Sequence, residues 1–156
     1  MLVEVGLVFS LFGDVFLMLP KDRFVAGLVS FLVAHLLYIG AFTGLGAAME
    51  VTWWVLVPFL AYAAVLLRIL LPYVPRALKT AVIVYAAALL VMAWQAAERG
   101  AAGVPGGALA AIGGVLFVIS DSALALDRFR CPFPGAQPLI LATYWAAQTL
   151  IALSIR

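Results

Sequence analysis

The sequence predicts an all-α fold, a polytopic transmembrane bundle of about six helices. Composition gives the first reason: of 156 residues, 67% are hydrophobic and only 10% charged, against roughly half and a quarter in soluble domains. The apolar residues also fall into runs of about 20, the length that crosses the bilayer hydrocarbon as a helix. Finally, charges and Pro/Gly clusters interrupt those runs only briefly, so neighbouring helices are antiparallel and residues 1–156 form one transmembrane domain. The same figures exclude other classes. Cys131 is the only cysteine, which rules out a disulfide scaffold. Nine basic and seven acidic residues, for a net charge of +2, give no basic face for nucleic acid.

Span one is expected at residues 2–19. It lacks a basic leader and carries Glu4 and Asp14, so it reads as a resident helix and not as a cleavable signal peptide. After Pro20 to Arg23, span two covers 24–43. At about 100° per residue, Gly27, Ser30, Ala34, Tyr38 and Ala41 share a narrow sector suited to helix contact or to lining a pocket. His35 lies beside that stripe. Span three covers 52–71, opening on Trp53 and Trp54 and containing Pro58, and span four follows Pro72 to Arg76 and covers 77–97. Span five covers 107–126, with Ala110, Gly113 and Gly114 permitting close helix approach, as Gly6 and Gly13 do in span one. The next connector, Asp127 to Ala136, holds Phe129, Cys131, Pro132, Phe133 and Pro134 and reads as an interfacial turn. Span six covers 137–155. No heptad series, low-complexity tract or fixed-period repeat runs through the chain.

Basic residues orient the spans, because cytoplasmic loops collect Lys and Arg. The first, third and fifth connectors with their helix ends hold Lys21, Arg23, Arg68, Arg76, Lys79, Arg128 and Arg130. The opposite side holds only Arg99 and Arg156. Seven against two places the three basic connectors in the cytoplasm and both termini outside the cell membrane. Trp53, Trp54 and Trp94 fall at the outer ends of spans three and four, where an interfacial aromatic belt belongs.

Ionisable groups inside spans are costly and mark function by default. Asp14 and Asp121 each lie five residues before the cytoplasmic end of their span, about 7.5 Å below the boundary. Two carboxylates at one depth on different helices can share a cavity, where burial and mutual repulsion drive their proton affinities apart and one becomes an acid, the other a base. Asp22 and Asp127 lie in loops and read as structural. Ser10 precedes Asp14 by one turn, and Ser120 and Ser122 flank Asp121. Tyr144 and Gln148, one turn apart on span six, overlap the aspartates in depth, with Thr143 beside them; helix glue and substrate contact both fit this pair. His35 is the only histidine, so no zinc site can be assembled and no metal is expected. Arg68 and Lys79 flank the third connector, where they serve as topology signals or hold a lipid phosphate at headgroup level.

Four segments carry a resemblance. They are Phe12-Gly-Asp-Val-Phe-Leu-Met-Leu19, Phe31-Leu-Val-Ala-His-Leu-Leu-Tyr-Ile-Gly-Ala-Phe42, Ser120-Asp-Ser-Ala-Leu-Ala-Leu-Asp-Arg-Phe129 and Thr143-Tyr-Trp-Ala-Ala-Gln148. In this order they resemble the lysoplasmalogenase family, the YhhN-like multi-pass membrane proteins, over nearly the whole chain. That family usually has more spans than six, so the resemblance implies that this chain starts near the third of them. It implies hydrolysis of the vinyl ether bond of lysoplasmalogens, lysophospholipid substrates drawn from the membrane, to a fatty aldehyde and a glycerophospho-base. The family's Gly-Asp and Ser-Asp aspartates match Asp14 and Asp121, while His35, Tyr38, Ser120, Tyr144 and Gln148 match further family positions.

The chemistry suits residues found without the resemblance. Vinyl ether cleavage needs a proton on the alkene carbon and a carboxylate beside the resulting cation, by the logic of glycoside hydrolysis, and it requires no cofactor. The headgroup is expected near Arg68. Two rival readings use the same aspartates. A small proton-coupled transporter would need them for flux, and a non-catalytic lipid-binding subunit would use them to tie helices together.

Overall fold

The computed structural model describes residues 1–20, 23–43 and 51–155. Lys21, Asp22, Arg156 and most of the connector expected between spans two and three lie outside the described residues. Among those residues the chain forms six α-helices: α1 Leu2–Met18, α2 Phe24–Thr43, α3 Trp53–Leu70, α4 Lys79–Ala101, α5 Gly107–Ala125 and α6 Ala136–Leu153. Six helices stand where six spans were expected. Among the described residues, four segments are long and apolar enough to cross a membrane: Phe24–Thr43, Trp53–Leu70, Arg76–Ala101 and Gly107–Arg130. Helix α1 is shorter, at 17 residues, and α6 dilutes its apolar run with Gln137, Thr143, Gln148 and Thr149.

Two boundaries depart from expectation for identifiable reasons. Helix α4 continues past residue 97 because the charges there find partners that keep them in the helix. Glu98 Oε1 accepts the Trp94 indole N–H at 2.8 Å and the Thr52 backbone N–H at 2.9 Å, and Arg99 Nη1 donates to the Phe42 carbonyl at 3.3 Å. Trp94 is therefore buried, at 8% exposure, and does not join Trp53 and Trp54, at 70% and 72%, in an exposed belt. The fifth connector opens as a π-helical turn, Leu126–Arg130, before the chain becomes extended at Cys131. The Cys131 N–H closes that turn on the Leu126 carbonyl at 3.0 Å. Asp127 fills its structural role there, accepting the Phe133 N–H at 3.1 Å.

Helices α1, α2, α4, α5 and α6 pack each against the next, and α1 meets α6 to close a five-membered ring. Helix α3 stands outside it, against α4. Among hydrocarbon tails, close packing holds helices together more than water exclusion does, so small residues belong at crossings. A Cβ at Gly6 would run into the Tyr38 ring, and one at Gly13 into that of Phe31. These two glycines let α1 settle onto α2, which brings Asp14 against the ring's interior. That interior holds Val3, Tyr38, Met92, Phe117, Ala147 and Ile151, all sealed from the surface.

Candidate functional site

The polar residues of the ring converge on one zone inside it, toward the end that carries most of the arginines. Asp14 reaches in from α1 and its Oδ2 accepts the hydroxyl of Tyr144, from α6, at 2.8 Å. Asp121 reaches in from α5, and its Oδ2 accepts a short hydrogen bond from the hydroxyl of Tyr85, on α4. Each carboxylate is thus held by one tyrosine from a different helix. The two tyrosines are linked in turn through Phe117, which contacts both Tyr144 and the histidine beside Tyr85.

His35, fully buried on α2, completes the Asp121 side. Its Nε2 lies 3.1 Å from the Tyr85 hydroxyl and 3.9 Å from Asp121 Oδ2. Because Tyr85 commits its proton to Asp121, its oxygen is the acceptor for an Nε2–H. The result is a directed chain from His35 through Tyr85 to Asp121, able to relay a proton along its length. The imidazole is fixed by stacking edgewise on Phe117, ring centroids 4.8 Å apart, and the same Phe117 ring meets Tyr144 at 5.5 Å. One aromatic side chain therefore spaces the two halves of the site. Phe31 braces Tyr144 from its other side at 5.9 Å.

A second layer surrounds this pair. Tyr38 donates to Gln148 Oε1 at 2.7 Å, and its hydroxyl lies 3.4 Å from Ser10 Oγ, so α1, α2 and α6 are joined by one buried relay. Of the expected site residues, Asp14, His35, Tyr38, Asp121, Tyr144 and Gln148 come together. Ser120 faces elsewhere: its hydroxyl donates to the Ile140 carbonyl at 3.0 Å and ties α5 to α6. Ser122 likewise donates to the Val118 carbonyl and accepts from Tyr62 of α3 at 2.7 Å. Thr143 turns back on its own helix, to the Leu139 carbonyl. Arg68 is exposed in the last turn of α3 and makes no hydrogen bond or ion pair among the described residues. It was expected to hold a lipid phosphate at headgroup level or to serve as a topology signal, and its helix, α3, stands outside the ring.

Tyr85 is the functional candidate that the sequence reading missed. Its signal was available: a phenol in an otherwise apolar stretch of span four, about two turns in from the arginine-rich end and so near the aspartates in depth. Without knowing that α4 faces α5 and α2, nothing separated it from the interfacial tyrosines.

Chemically, the arrangement offers two partly buried carboxylates beside aromatic side chains, one of them joined through Tyr85 to a buried histidine. Comparison with known proteins shows the family. The pattern of the YhhN family matches residues 1–155. Lysoplasmalogenase TMEM86A of Bos taurus is 40% identical, over 97% of this chain and 64% of its own length. Lysoplasmalogenase TMEM86A of Homo sapiens is 37% identical over 97% and 64%, and lysoplasmalogenase TMEM86B of Sus scrofa 34% identical over 96% and 61%. The chain thus spans a little under two thirds of the length of these curated relatives. No solved structure matches it.

Proposed function

Because the chain belongs to the YhhN family, we propose that it is a membrane hydrolase that opens the vinyl ether bond of lysoplasmalogens, releasing a fatty aldehyde and a glycerophospho-base. The observation that carries the reading is the pairing of Asp14 and Asp121 inside the ring, each hydrogen-bonded by a tyrosine from another helix. Lysoplasmalogenase relatives that are 34–40% identical to this chain support the substrate class.

The two carboxylates divide the work by their surroundings. Asp121 has the larger anion-stabilising set, with the Tyr85 hydroxyl donating to it and His35 beside it. It acts as the carboxylate. Asp14, held by the single phenol donor of Tyr144, acts as the acid. Asp14 delivers its proton to the alkene carbon beyond the ether-bearing one, and the double-bond electrons form the new C–H bond. The cation left on the ether-bearing carbon shares its charge with the ether oxygen and sits opposite the Asp121 carboxylate. Water adds to that carbon while Asp121 takes the water's proton, forming a hemiacetal. The hemiacetal collapses as Asp121 hands that proton to the departing glycerol oxygen and the Asp14 carboxylate takes the hemiacetal hydroxyl proton, leaving the aldehyde and an alcohol with both aspartates restored. Tyr85 and His35 hold Asp121 in place through the cycle, and no cofactor enters it. The excess of Lys and Arg at the site's end of the ring supports a site toward the cytoplasmic leaflet, with both termini outside.

The test is fatty-aldehyde release from lysoplasmalogen by membranes containing the protein, compared with Asp14→Asn and Asp121→Asn. Each variant is expected to lose about 100-fold or more of the rate while remaining folded in the membrane. Unchanged release in both would overturn the two-carboxylate mechanism.

A further inference from the structure

Beyond the aspartates, the arginine-rich end holds a cavity of about 500 Å³, half open to the surroundings and lined by Arg23, Phe24, Val25, Ala26, Leu78 and Arg128. Its volume lies in the range of small-ligand sites, roughly 300–1,000 Å³. Two of its six lining residues are arginines, and they come from segments remote in sequence: Arg23 immediately precedes α2, and Arg128 sits in the π-helical turn after α5. The Arg128 guanidinium lies 4.0 Å above the Phe24 ring, which orients its planar fork. Phe24 is held in turn edgewise by Phe129, centroids 5.5 Å apart. The first turn of α2 forms the remaining wall, presenting the positive end of the helix dipole. π-Helical turns are rare and recur at functional sites. Here the turn is what places Arg128 beside the start of α2.

Resting on the hydrolase reading above, we propose that this cavity binds the phosphodiester of the lysophospholipid headgroup, with Arg23 and Arg128 as its ligands. The register supports it. Arg128 follows Asp121 by seven residues, roughly 10 Å further toward the arginine-rich end. In a lysoplasmalogen the phosphorus lies five bonds from the ether oxygen, a reach of about 6 Å at ordinary bond lengths, and an arginine side chain spans the remainder. A lipid with its vinyl ether between the aspartates therefore brings its phosphate to these arginines, with the hydrocarbon chain running the other way among the helices. Two guanidiniums also explain how a phosphate-bearing lipid is distinguished from a neutral ether lipid, because a planar fork of N–H donors matches phosphate oxygens in pairs. The headgroup role expected for Arg68 passes to this pair.

The experiment uses the full chain in phosphatidylcholine nanodiscs and two uncleavable saturated ethers of equal chain length, a 1-O-alkyl lysophosphoethanolamine and a 1-O-alkylglycerol. Arg23→Gln and Arg128→Gln are each expected to weaken binding of the phosphate-bearing ether about tenfold and to leave the alkylglycerol within about twofold. Arg128→Lys, which keeps the charge and loses the fork, should fall between parent and Gln variant and guards against a folding defect. Equal weakening toward both ligands, or none toward either, overturns the proposal. So does loss of the arginine dependence when the discs contain anionic phosphatidylglycerol, which would assign the cavity to bulk lipid. Because neither ligand is cleaved, a parent protein that binds in this phosphate-dependent way yet releases no aldehyde would keep the headgroup site and sink the hydrolase reading alone.

Discussion

Helices α2 and α3 are both uninterrupted apolar segments of membrane-spanning length, yet they occupy opposite positions. Helix α2 is a member of the ring and buries Phe31, Ala34, His35 and Tyr38. Helix α3 lies outside and buries only Val55 and Leu70. The difference is not in how apolar the helices are but in how they place what is small or polar. Helix α2 carries Gly27, Ser30, Ala34 and Tyr38 along one side, so it can approach a neighbour closely and exchange hydrogen bonds with it. Helix α3 presents large side chains such as Val57, Leu60 and Val65 outward, and among the described residues it reaches into the bundle through the hydrogen bond from Tyr62 to Ser122. In a bilayer, where lipid satisfies an apolar surface as well as protein does, hydropathy says that a helix is inserted and the small or polar stripe says where it packs.

The largest effect that could break this contrast is on packing. Phe117→Ala removes the ring that separates the two halves of the site and should lower stability by about 3 kcal/mol or more, since a cavity remains among His35, Tyr144 and their neighbours. Leu60→Ala on α3 exchanges protein surface for lipid and should cost below about 0.5 kcal/mol. Thermal unfolding of both variants in the same detergent measures the gap, and equal losses would mean that α3 is as much a part of the core as the ring helices. An intermediate effect belongs to Tyr85→Phe. Losing one hydroxyl between His35 and Asp121 should slow aldehyde release about tenfold to 100-fold. If the role is proton relay, the pH profile of the rate changes shape, whereas a purely structural tyrosine would lower the rate evenly at every pH. The smallest effect is expected for Tyr62→Phe. It breaks the link from α3 to Ser122 and should cost about 1 kcal/mol or less, with aldehyde release within about twofold of the parent. A large loss of activity there would make α3 part of the site.

Much of the candidate cluster was legible in the sequence because charge within an apolar run is conspicuous. Asp14 and Asp121 stood out against apolar neighbours, and helical rise alone placed them at one depth. Tyr144 and Gln148 followed from a one-turn spacing at that depth, and His35 and Tyr38 from their place on or beside the small-residue stripe. Other expected residues are not brought to this cluster. Arg68 was set at headgroup level from its place beside the third connector, but it lies on α3, outside the ring, and Ser120 adjoins Asp121 in sequence but turns to the Ile140 carbonyl, since adjacent residues on a helix point about 100° apart. Trp94 was assigned to the interface by depth, and Glu98 drew it inward through the indole N–H. Arg23 and Arg128 registered only as orientation signals.

The sequence by itself determined that six apolar helices follow one another through short connectors, which helix ends collect the arginines, and how many residues separate Asp14 and Asp121 from those ends. Those properties depend on composition and on a fixed rise per residue, so they survive without any knowledge of neighbours. The tertiary structure alone decided that α4 and not α3 enters the ring, and with that choice Tyr85 came to hold Asp121. It also decided that a π-helical turn carries Arg128 to the start of α2, where it shares a cavity with Arg23. The physical reason is common to both: one apolar helix packs against lipid or against another apolar helix with little difference in energy. The choice among neighbours therefore rests on a few glycines, hydroxyls and guanidiniums whose partners are far away in the chain.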